Sequence, residues 1–77
     1  MRVDILTVDE REYLKTFHMS PSDVESLISL IKVSGISFYK KGRNSLITFK
    51  YDSVCFSIDQ RNNGMTETWF EIFVDEQ

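Results

Sequence analysis

Residues 36–74 read ISFYKKGRNSLITFKYDSVCFSIDQRNNGMTETWFEIFV, and the spacing of their apolar side chains decides the fold. Apolar and polar positions alternate with a period of two, the pattern of half-buried strands. β-Branched and aromatic residues dominate ISFYK, SLITFKY, VCFSID and TETWFEIFV, and turn chemistry separates the four runs. KKGRN supplies a short glycine-containing loop, YDS a tight polar turn, and RNNG the Asn63-Gly64 pair preferred in type I′ hairpins. Short connections between successive strands imply antiparallel neighbours. The expectation is a four-stranded antiparallel meander.

Alternation sorts these side chains onto two faces. Ile36, Phe38, Ile47, Phe49, Tyr51, Val54, Phe56, Ile58, Phe70, Ile72 and Val74 form one continuous apolar surface. The other face collects Tyr39, Leu46, Cys55, Trp69 and Phe73 among Ser37, Thr48, Lys50, Ser57 and Glu71. The first face is the core side, and the second is mixed with an aromatic centre.

Upstream, the period becomes helical. In SPSDVESLISLIK (20–32), Ser20 fits an N-cap and Pro21 the first helical position, where the missing N–H is not needed. Asp23 complements the positive end of the helix dipole. Val24, Leu27, Ile28 and Ile31 recur at i, i+3, i+4 and i+7, and Gly35 can end the helix. Nearer the N terminus, Thr7 and Glu10 have capping-box spacing, which places a second helix over 8–17 with Tyr13, Leu14 and Phe17 on one face. MRVDILT alternates and is compatible with a further short strand at the N terminus. The expected architecture is α+β, with two helices packed on one face of the meander.

Size and composition bound the function. Seventy-seven residues make one small globular domain spanning 1–77, with 42% apolar and 27% charged residues, ample for a core and ordinary for a folded chain. A net charge of −3 argues against a general nucleic-acid binder, which draws on a basic surface. The start, MRVDILTVDE, lacks the apolar centre of a signal peptide, and no apolar run is long enough to span a bilayer. One cysteine cannot form an internal disulfide, so a reducing compartment, the cytoplasm, is expected. No membrane role follows.

Chemistry-bearing residues are sparse. His18 and Cys55 are the single histidine and the single cysteine, too few for a structural zinc site. As a nucleophile and base they would need hydrogen-bond contact and an orienting third group. The expected placements, a strand cysteine in the core and a histidine at a helix end, keep them apart. Asp9, Glu10 and Glu12 fit the first turns of the 8–17 helix. The chain therefore reads as a non-enzyme with no cofactor and no metal.

Two surfaces could bind. Glu67, Glu71 and Asp75 alternate with Trp69 and Phe73 on one face of the last strand. As a solvated edge row, the acids would discourage edge pairing. As a patch, aromatic anchors with ionic neighbours resemble the composition of binding hot spots. Two aromatics on that face would be covered within the chain, meet their own copies in a homodimer, or dock a different protein. Docking is the leading expectation, as an inhibitor or adaptor that meets a basic surface on another protein. Compact acidic α+β chains of this size are common among small inhibitors made by phages and mobile elements, an association of type alone. The alternative is a small nucleic-acid-binding module using Tyr39, Lys40, Lys41 and Arg43 at a basic hairpin tip. A winged helix-turn-helix reading fails on charge, because the 20–35 helix exposes Ser22, Asp23, Glu25, Ser26 and Ser29 with only Lys32 basic.

Overall fold

The computed structural model describes residues 1–39, 42, 44–62 and 64–77. Strands β1 (Arg2–Thr7) and β2 (Tyr13–His18) form a hairpin, followed by helix α1 (Pro21–Ser34). Strands β3 (Ile36–Tyr39), β4 (Leu46–Asn62) and β5 (Met65–Glu76) complete the chain. All five strands join one sheet in the order β2-β1-β5-β4-β3. Neighbours are antiparallel except β1 and β5, which run parallel with Val3 opposite Phe70 and Ile5 opposite Ile72. The sheet curls nearly into a barrel, with β2 and β3 as its two edges.

This corrects the expected pair of helices on a four-stranded antiparallel meander: there is one helix, and the sheet is mixed and five-stranded. The expected helix over 8–17 is a turn and a strand. Thr7 does offer its hydroxyl as a cap, but to the amide of Glu12 (2.9 Å) rather than to a helical turn. The Thr7 amide donates to the Glu12 carbonyl, closing the β1–β2 hairpin, and the Val8 amide to the Val74 carbonyl, extending the pairing with β5, so neither bond is helical. Arg11 takes φ 53°, a left-handed turn conformation. Tyr13, Thr16 and Phe17 favour strands, and Phe17 packs opposite Val3. The helical spacing of Tyr13, Leu14 and Phe17 served a strand with a bulge between its pairings to Ile5 and Leu6.

The N-terminal segment, read as an optional strand, is near the centre of the sheet, and its Val3 and Ile5 are fully buried. The expected YDS turn is also corrected: β4 runs straight through it, with a register irregularity between Tyr51 and Ser53 that leaves Asp52 unpaired. Asp-Ser lacks the glycine or asparagine that a tight two-residue hairpin demands, and a bulge absorbs the extra residue instead. At the far end, Asn62 pairs with Met65 and Gly64 takes φ 80°, closing the β4–β5 hairpin; Asn63 lies outside the described residues.

Helix α1 follows its sequence signals. The Ser20 hydroxyl accepts from the Asp23 amide at 3.3 Å, Pro21 opens the helix, and the Gly35 amide closes it on the Ile31 carbonyl at 2.8 Å. Val24 and Ile31 are buried, and Leu27 and Ile28 pack against the same cluster. Under them lie Val3, Ile5, Ile47, Phe49, Ile72 and Val74, which complete the buried core. Burial of each such side chain is worth roughly 1.5–3 kcal/mol, so this one layer holds helix and sheet together.

Candidate interaction surfaces

The core covers one side of the sheet, and the helix-free side carries the aromatic row. Register places Arg2 beside Trp69, Asp4 beside Glu71 and Leu6 beside Phe73 on neighbouring strands. On the other flank, Ser57 pairs with Trp69, Cys55 with Glu71, Ser53 with Phe73 and Lys50 with Asp75. Glu67, Trp69, Glu71, Phe73 and Asp75 therefore share one face of β5. The expectation that β5 is an edge strand is corrected, because it lies between β1 and β4.

Both rings are half-buried and both carry an arginine. The Arg2 guanidinium carbon sits 4.5 Å from the centre of the Trp69 ring, and that of Arg11 5.3 Å from Phe73. Arg2 Nη1 donates to Glu67 Oε1 at 2.6 Å, while its buried Nε faces Asp4 Oδ2 at 3.5 Å without a hydrogen bond. Asp4 also accepts from the Thr16 hydroxyl at 2.6 Å, and Thr16 in turn accepts from Tyr13. Glu71 accepts from the Ser57 hydroxyl at 2.7 Å. The acids of this row are thus partly satisfied within the chain, and the arginines form polar lids over apolar rings. Beside Phe73 a shallow depression of about 240 Å³ is lined by Val8, Arg11, Ser53 and Phe73.

Sequence reasoning missed both arginines. Arg2 alternates with buried Val3 and Ile5, so its polar side was legible. Its position over Trp69 follows from the parallel pairing of the first strand with the last, which no local pattern encodes.

Other expected sites are redistributed. Asp9, Glu10 and Glu12 lie in and beside the β1–β2 turn rather than in a helix, and with Thr7, Asp75 and Glu76 they line an acidic cleft of about 130 Å³. His18 ends β2 instead of a helix, and Cys55 is exposed on β4 rather than in the core. Strands β1 and β5 lie between the strands that carry them, so the two are not cross-strand neighbours and share no hydrogen bond among those of the described residues. No metal-binding cluster occurs among the described residues, and none of their helices is long and apolar enough to cross a membrane. Of the basic hairpin, Lys40, Lys41 and Arg43 lie outside the described residues, while Tyr39 is 69% exposed opposite Leu46.

A further surface lies where the alternation predicts core. Val54, Phe56 and Ile58 do lie on the helix side of the sheet, paired with Ile72, Phe70 and Thr68. They nevertheless remain 38%, 49% and 54% exposed, because the core beneath α1 does not extend that far along β4. Only Phe56 finds a ring partner, Phe70 at 5.1 Å. No protein family, curated protein or solved structure matches this chain.

Proposed function

We propose that this chain is a non-enzymatic interaction module, an inhibitor or adaptor that docks another protein through the helix-free face of its sheet. Trp69 and Phe73 are the anchors, and Glu67, Glu71 and Asp75 orient a basic surface of the partner. The observation that supports this reading is the shared placement of all five side chains on one face that α1 does not cover. Docking would move the Arg2 and Arg11 lids aside, exposing the rings and freeing the acids for the partner's cations. Capture from a lysate of the source cells tests it. A partner held by the wild type should be lost by a folded Trp69→Ser/Phe73→Ser variant.

A second reading rests on Tyr39, whose exposed ring stands at the start of the basic hairpin. A nucleic-acid module built there would bind single strands by stacking and phosphate contacts. Its binding would weaken steeply with salt and vanish when Lys40, Lys41 and Arg43 become Ser. Binding that ignores salt would remove this reading.

A further inference from the structure

Strand β3 pairs with β4 only from Leu46 to Phe49. Beyond Phe49, no strand among the described residues pairs with the outer edge of β4. That edge therefore offers a long row of backbone donors and acceptors to whatever extended chain approaches it. Native edges are usually shortened, charged, interrupted by proline or covered. Here the run SVCFSI (53–58) has no charge, proline or glycine. The charges stand at its ends: Lys50 and Asp52 on one side, Asp59 and Arg61 on the other.

We propose that a second copy of this chain occupies the edge, with the two β4 strands antiparallel about a two-fold axis at Phe56. Two features of the strand select its own copy. The β4–β5 ladder is regular from 53 to 59 and irregular on both sides of that stretch, between Tyr51 and Ser53 and between Asp59 and Asn62. Its midpoint is Phe56, so the axis sets the whole regular stretch against itself. The side chains are also self-complementary in that register. Phe56 meets Phe56, Val54 meets Ile58 and Cys55 meets Ser57, apolar on the helix side and small on the other. Ser53 faces Asp59, and Asp52 comes level with Gln60, next to Arg61, so no acid opposes an acid. Shifting the axis by one residue to Cys55 sets Asp52 against Ile58 instead.

Antiparallel partners exchange backbone hydrogen bonds at every second residue. Cross-strand apolar pairs then shelter the flanks of Val54, Phe56 and Ile58, which the monomer leaves in water. The result is one continuous sheet of two copies, with both Trp69 faces still open. This surface is separate from the docking face proposed above.

Sedimentation equilibrium of the purified protein tests the pairing. The mass should rise with concentration from 9.1 kDa towards twice that value. Phe56→Lys places like charges opposite each other at the axis and should raise the dissociation constant by about tenfold or more. Ile58→Lys, at a more exposed position, sets a charge against Val54 of the other copy and should also raise the dissociation constant, which keeps the test if Phe56→Lys does not fold. Cys55, the single thiol, reports the register: the two copies of Cys55 are diagonal neighbours about 7–8 Å apart, within reach of a short bis-maleimide. A cross-linked dimer should form in the wild type and in Trp69→Ser/Phe73→Ser, but not in Phe56→Lys. A protein that stays monomeric throughout overturns the proposal and leaves the edge for an extended segment of another protein. A dimer that survives both lysine variants, or is lost with Trp69 and Phe73, overturns it by placing the contact on another face.

Discussion

Arg2 lies over Trp69, its guanidinium carbon 4.5 Å from the ring centre, and holds Glu67 at 2.6 Å. One side chain from the first strand thus spans an aromatic and an acid of the last. The arrangement joins the two ends of the chain on the face where docking is proposed, and it has measurable consequences.

Replacing Arg2 by Met keeps the aliphatic stem and removes the charge. The loss of a cation–π contact and a part-exposed ion pair should cost about 1 kcal/mol, read as a fall in Tm of roughly 4–8 °C. Emission from Trp69, the only tryptophan, should move to longer wavelength as water reaches the ring. Unchanged emission would mean that Arg2 does not shelter the ring in solution.

Gly35 ends α1 at φ 72° and ψ −172°, a region open to glycine alone. A Cβ there would also lie 2.6 Å from the Phe49 carbonyl oxygen, where nothing flexible can yield. Gly35→Ala should therefore cost at least about 2 kcal/mol by denaturant unfolding. Gly64→Ala, at φ 80° with open space around it, should show the backbone cost alone, roughly 1–2 kcal/mol.

Two isoleucines on the same sheet face separate the core from the exposed 54–58 stretch of β4, an arm beyond the helix. Ile72 is fully buried, and truncation to Ala should cost about 2–5 kcal/mol. Ile58 is exposed, and the same change measured on the monomer should cost under about 1 kcal/mol. Equal losses would show that the arm is packed.

Asp59 accepts from the Arg61 Nη2 (2.9 Å) and Nε (3.0 Å) and from the Arg61 amide. These bonds favour the ionised carboxylate and hold its pKa down to about 2, while the same pairing raises that of Arg61. A depressed carboxylate pKa favours the folded state above the unfolded value near 4, and that preference is lost as pH falls towards about 2. The carboxyl carbon of Asp59 should titrate near 2 by NMR and return to about 3.9 in Arg61→Ser. A midpoint already at the ordinary value would show that the pair does not persist.

Much of this molecule is legible in local pattern. Helix α1 announces itself through Ser20, Pro21 and Gly35, and alternation assigned the faces of β3, β4 and β5 as the register has them. The errors have physical causes. Tyr13, Leu14 and Phe17 satisfy a helical spacing and a bulged strand equally, and the choice is made by pairing with β1, a non-local event. Asp52 and Ser53 look like a turn, yet a bulge passes them through a single strand. That one difference carries Val54, Phe56 and Ile58 out of the core and onto an exposed arm. The placement of Trp69 and Phe73 with Glu67, Glu71 and Asp75 was readable, because alternation within one strand is enough to set it. Their arginine lids were not, since β1 and β5 meet only in the folded sheet.

The most direct measurement compares three baits in one lysate capture: wild type, Trp69→Ser/Phe73→Ser and Phe56→Lys, each first shown to be folded by circular dichroism. The expected result is a protein partner held by wild type and Phe56→Lys and lost by Trp69→Ser/Phe73→Ser. A partner retained by the folded Trp69→Ser/Phe73→Ser bait would contradict docking through the helix-free face.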